Sequence, residues 1–150
     1  MKNPKALQAI VWGGAIAGSL DITYAIISNG LRGIGWVRVL QSVASGLLGK
    51  EAFAGGMPTA VLGLLLHFVN ALLIASVFYV VSRKLTLLTQ RPVLSGLFYG
   101  APVYMLMSRV VVPLSAAPFT IPLRVADLLV HMFFVGLPIS LSVHRFSAKV

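Results

Sequence analysis

The sequence predicts an all-α integral membrane protein: four transmembrane helices in an antiparallel bundle, with a short interfacial amphipathic helix after the first span. Three observations carry this. Of the 150 residues, 58% are hydrophobic and 10% charged, and the mean hydropathy is +0.94, too little polar side chain to clothe a soluble domain of this length. Four apolar stretches of about 23–25 residues recur, each able at roughly 1.5 Å per residue to cross a hydrocarbon core of about 30 Å. The basic residues, which give a net charge of +9, punctuate these stretches instead of clustering with stacking aromatics. They read as topology signals and contacts to anionic headgroups, with no nucleic acid as partner. The chain has no cysteine, so disulfides, thiolate metal sites and a cysteine nucleophile are excluded.

The first span, residues 6–28, follows Lys2 and Lys5. A basic start, an apolar run and Ala15-Ile16-Ala17 also fit a cleaved signal peptide, but the apolar pattern continues well past that site, which favours an uncleaved helix. Gly14, Gly18, Asp21 and Ala25 share one face. Small residues four apart let helices approach closely and carry Asp21 inward with them. Residues 30–56 are glycine-rich and too interrupted to span. Within them, over residues 35–48, Trp36, Val39, Leu40, Val43 and Leu47 repeat at helical spacing opposite Arg38, Gln41, Ser42 and Ser45, which predicts the interfacial helix with Trp36 at headgroup level. A re-entrant segment is the alternative.

The second span, residues 57–81, places Gly63, His67 and Asn70 on one stripe and ends at Ser82-Arg83-Lys84. Pro92 is suited to begin the third, residues 92–114. There Gly96, Gly100, Tyr104 and Ser108 recur every fourth position as a second close-packing face, with Arg109 beside it. Pro113, Pro118 and Pro122 mark a non-helical link. The fourth span, residues 121–144, carries Arg124, Asp127 and His131 on one stripe, and Pro138 is placed to kink it. With the N-terminus cytoplasmic, Lys2, Lys5, Arg83, Lys84, Arg91, Arg145 and Lys149 lie inside against Arg32, Arg38 and Lys50 outside, which favours both termini cytoplasmic. No internal repeat of the inverted-transporter kind is visible.

Depth counted along the helices puts Asp21, Arg109, Arg124 and Asp127 at one level toward the outer leaflet, His67 and His131 near the midplane, and Asn70 somewhat deeper. Two acids and two bases at one depth suit a clasp in which each aspartate is neutralised by an arginine. They equally suit a polar cavity that binds or conducts a small polar or ionic solute, because ionisable groups inside a membrane so often mark pathways. Neutral imidazoles on facing helices also allow a b-type haem between His67 and His131, or a hydrogen bond to a neighbour, or a proton relay with Asp127. No phosphate loop, HExxH or GxSxG is present, which points away from an enzyme. The glycine faces at 14, 18, 96 and 100 serve packing within one chain, or between two copies as a homodimer, or against another membrane protein.

The runs GGAIAGSLD in the first span, RVLQSVASGLLGKEAFAGG after it, LGLLLHFVNA in the second span and VVPLSAAP in the link resemble a family of bacterial inner-membrane proteins similar to the YagU-like group. The resemblance covers nearly the whole chain, without the longer extramembrane insertion of that group. It implies a four-helix protein of the bacterial inner membrane and carries over no catalytic or binding residue.

Overall fold

A computed structural model describes residues 4–147. Every regular element among the described residues is helical, and four helices are long and apolar enough to cross a membrane. Helix α1 spans Pro4–Gly30, α2 spans Trp36–Leu48, and a 3-10 stretch at Gly49–Phe53 leads to α3, Gly56–Lys84. After a single turn at Leu87–Gln90, α4 spans Pro92–Leu114 and α5 spans Val125–Phe146.

The distribution of side-chain size is the reverse of a soluble protein's. Ala9, Ala17, Ala60, Ala71 and Ala75 are buried, whereas Leu65, Val69, Leu73, Val77, Phe98 and Phe133 are exposed. This is the pattern expected of membrane-spanning helices, which associate through small residues that let backbones meet and leave large apolar residues on the outside. The glycines do this here. A methyl on Gly14 would stand 2.8 Å from Leu72, and one on Gly18 would stand 3.0 Å from Phe68, so these residues set the α1–α3 approach. Gly96 faces Leu137 and Ser140, and Gly100 faces the carbonyl of His131, so α4 meets α5 backbone to backbone. All four predicted packing glycines are thus occupied within this chain.

Two of the long helices contain wide π-turns, at Met107–Val111 in α4 and His131–Gly136 in α5. Each ends two residues before a proline, Pro113 and Pro138. A proline offers no N–H to the carbonyl four residues back and crowds it with its ring, and a widened preceding turn relieves that conflict. At Pro138, where the sequence suggests a kink, the helix widens. The fourth span also starts later than the sequence suggests. Arg124 is in extended backbone (φ −128°, ψ 135°), so it lies off the helical stripe shared by Asp127 and His131.

Helix α2 matches its predicted bounds but not its predicted face. Val39, Leu40, Gln41, Ala44 and Ser45 are buried and Trp36, Arg38 and Leu47 exposed. Gln41 and Ser45, assigned by periodicity to the polar side, turn inward instead. The Gln41 amide donates to the Gly56 carbonyl at 3.0 Å and to Thr59 Oγ1 at 3.3 Å. Satisfying a buried amide in this way removes the cost of taking it from water. The helix therefore crosses the start of α3 as a packed element, with the backbone of Leu40 lying directly on Gly63.

Candidate functional site

The cavity wall is assembled from the ends of α1, α4 and α5 opposite the termini, closed over by α2. A vestibule of about 560 Å³ lies there, lined among others by Asp21, Tyr24, Arg38, Tyr104, Arg124 and Asp127. Beneath it is a chamber of about 70 Å³ lined by Gly18, Asp21, His67, Asn70, Met107 and His131, among others. Asp21, Met107 and His131 line both and form the neck between them. Below the chamber the helices close on an apolar cluster that includes Ala75, Phe78, Ile139 and Val143. The cavity sets a few polar groups into a largely apolar lining, reaches the middle of the long helices, and ends there. Asp21 lies roughly 13 Å, and His67 roughly 16 Å, from the nearer end of its helix.

The predicted polar residues divide in three ways. Asp21, Arg124 and Asp127 line the vestibule together, as their shared depth suggests. Arg109 is exposed and outside the lining of either cavity, because it is the immediate neighbour of buried Ser108 and so is rotated to the other side of α4. His67, Asn70 and His131 meet in the chamber, and Asp21, expected nearer the outer leaflet, meets them.

Arginine–aspartate pairing does not hold the group together. Among the described residues no ion pair within 4 Å joins Asp21 or Asp127 to an arginine. Asp127 is held instead by Tyr24, whose hydroxyl donates to its Oδ1 at 3.0 Å. Asp21 has neither a hydrogen bond nor an ion pair among the described residues. Among the described residues no buried polar side-chain atom is left without a partner, so the Asp21 carboxylate oxygens open onto the cavity it lines. A carboxylate at this depth is tolerable only where water or a solute can reach it.

Each imidazole spends one nitrogen on a backbone carbonyl: His67 Nε2 lies 2.9 Å from the Gly18 oxygen and His131 Nδ1 lies 2.8 Å from the Asp127 oxygen. A carbonyl only accepts, so these nitrogens carry protons; in a neutral imidazole the second nitrogen is then an acceptor. Asn70 Nδ2 points at Met107 Sδ, 3.5 Å away, leaving its carbonyl oxygen as a further acceptor. The space between the histidines holds about two water molecules, far below the volume of a porphyrin, and His67 has already committed its Nε2. The side chains as arranged do not frame a haem. Among the described residues no group of three or more histidines and carboxylates is placed to hold a metal ion.

Tyr104, Tyr24, Arg38 and Ser42 also line the vestibule, although the sequence places Tyr104 on a packing face and Arg38 and Ser42 on the polar face of the interfacial helix, and gives Tyr24 no role. Tyr104 is buried at 4% exposure. It accepts from the Arg124 N–H at 2.9 Å and donates to the Pro122 carbonyl at 3.3 Å, pinning the non-helical residues 122–124 ahead of α5. Tyr104→Phe removes the acceptor of that N–H, at an expected cost of about 1–3 kcal/mol. Thermal unfolding in detergent should show the loss, whereas an unchanged midpoint would mean that water replaces the hydroxyl.

No family model, no curated protein and no solved structure matches this chain. The site is therefore read from its own geometry.

Proposed function

We propose that this chain is a multi-pass protein of the bacterial inner membrane with both termini cytoplasmic, and that it binds or conducts a small polar or ionic solute in the cavity rather than catalysing a reaction. The helices then cross as an antiparallel bundle. Supporting this, Gly14 meets Leu72 while Gly18 meets Phe68, and Gly96 meets Leu137 while Gly100 meets His131, so positions fall along one helix as they rise along its neighbour. The resemblance to YagU-like proteins and the balance of basic residues support the membrane and the orientation.

Asp21 carries the functional reading. A residue kept only to clasp helices is paired, because an unpaired ionised group inside a membrane costs several kcal/mol. Asp127, bonded to Tyr24, fits a clasp. Asp21, unpaired at the neck of a cavity that ends on apolar side chains, fits a solute site entered from the side opposite the termini.

The absence of native cysteine makes the mouth directly testable. Ser28 lines the vestibule near the end of α1. In spheroplasts, Ser28→Cys should react with a membrane-impermeant maleimide added outside, while Val77→Cys on an exposed apolar face should not. Only a thiol in water ionises to the reactive thiolate. Failure of Ser28→Cys to react until the cells are lysed would reverse the orientation, and failure even in detergent would remove the vestibule.

A further inference from the structure

The chamber at the foot of the cavity is walled on its polar side by hydrogen-bond acceptors, and that composition names the chemistry it takes. Facing it are the unpartnered Asp21 carboxylate of α1, His67 and Asn70 of α3, Met107 of α4 and His131 of α5. Each histidine turns one ring nitrogen to a backbone carbonyl, which leaves a neutral imidazole a lone pair to offer, and Asn70 directs an N–H at sulfur and keeps its carbonyl oxygen as an acceptor. Neither arginine nor lysine lines the chamber. An anion there would meet a carboxylate and find no strong donor. A divalent metal would find no set of three histidine or carboxylate ligands.

We propose that the chamber is a site for a protonated primary amine. An R–NH3+ head brings one positive charge and three donors, matching one carboxylate and the acceptor nitrogens and oxygen around it. Methylammonium has two heavy atoms, and a space of about 70 Å³ holds about two waters. The mouth above has the opposite character, with Arg32, Arg38 and Arg124 lining the vestibule. Where the amine is the end of a zwitterion, its carboxylate lies toward those guanidinium groups. This inference rests on the reading of the cavity as a solute site and adds the class of solute.

The test uses the full chain in mild detergent at constant ionic strength in sodium chloride, with thermal unfolding followed on addition of methylammonium, glycine, tetramethylammonium or acetate. A ligand that binds only the folded state raises the midpoint saturably. Methylammonium or glycine should do so, the first marking a bare amine and the second the amine end of a zwitterion. Tetramethylammonium, equally charged but bulkier and without N–H donors, should not. Asp21→Asn should weaken the saturable response by about tenfold or more, the loss expected for a charge-assisted hydrogen bond. Should that variant fail to accumulate, the discrimination between the two cations on the unaltered chain still decides. Equal responses to methylammonium and tetramethylammonium would overturn the proposal, as would a response to acetate alone, which would leave the solute cavity standing with the wrong charge. No response to any of the four, with Ser28→Cys reacting normally, would overturn the amine site and keep the vestibule. The same silence with Ser28→Cys unreactive would overturn both.

Discussion

Gly100→Ala should destroy the folded protein. The added methyl would meet the His131 carbonyl and the Met132 Cα of the facing helix, and Gly136 on that same face is itself seated against the Gly96 carbonyl. Neither neighbour is a side chain that can rotate away. The helices must separate along the whole contact, which places the cost at or above the upper end of ordinary overpacking, about 3 kcal/mol. Alanine's better helix propensity returns at most about 1 kcal/mol, so the steric term wins. Gly96→Ala should behave alike, because its methyl would meet the Gly136 carbonyl and Leu137 Cα. Size-exclusion profiles in detergent should show loss of the monodisperse peak for both. Gly30→Ala, with nothing within 4 Å of the new methyl, should be neutral or slightly stabilising. A normal profile and melting point for Gly100→Ala would mean that α4 and α5 do not approach this closely.

Gly63→Ala should have a comparably large but local effect. Its methyl would coincide with the Leu40 carbonyl, so α2 must lift from α3. The core of that contact is Ile22, Leu40 and Ala60, distinct from the cluster containing Phe78, Ile139 and Val143 that holds the long helices. The expected loss is therefore confined: α2 detaches at a cost of about 3 kcal/mol, with the four long helices intact. Since Arg38, Val39 and Ser42 of α2 wall the vestibule, the mouth should open. The protein should remain in the membrane at near-normal level, and Ser28→Cys in the Gly63→Ala background should react faster than Ser28→Cys alone. A slower or unchanged reaction would mean that α2 does not cover the cavity.

The contrast between these helices also explains what was legible in the sequence. Four long apolar runs bounded by basic residues or proline specify spans whatever their neighbours do, so all four helices fall within a few residues of expectation. Height along a helix follows from counting residues from a boundary, yet Asp21, counted nearer the outer leaflet, also reaches the chamber with His67 and His131. The direction a residue faces around its helix was not. Arg109 shares the level of the cluster but follows buried Ser108, and one position turns a side chain about 100°. Arg124 was assigned to a helical stripe, yet Tyr104, 20 residues away, holds its backbone extended. Gln41 read as polar surface because the carbonyl and hydroxyl that satisfy it, on Gly56 and Thr59, belong to the next helix. Tyr24 carries no signal of its own in the sequence, because the residue it meets, Asp127, lies 103 positions on. Periodicity reports on one element at a time, and the partners that decide Arg124, Gln41 and Tyr24 lie on others.

The glycine faces and the cavity are two results of one packing arrangement. Close approach at Gly14, Gly18, Gly96 and Gly100 draws α1 to α3 and α4 to α5 at and below the level of the chamber. Above it the π-turn in α4 and the extended residues before α5 let the helices part. Both π-turns contribute to the chamber wall, through Met107 and through His131 and Val135, in keeping with the tendency of such turns to occur at functional sites.

The decisive position is Met107, which lines vestibule and chamber alike. Met107→Cys in membranes should react with a small, cationic, water-soluble methanethiosulfonate added from the side opposite the termini. The reaction should be slower than at Ser28→Cys but far faster than at the apolar-facing Val77→Cys, and methylammonium should slow it. A Met107→Cys thiol as inert as that at Val77, in protein whose Ser28→Cys counterpart reacts, would show that water stops at the vestibule and that no solute path reaches the middle of the membrane.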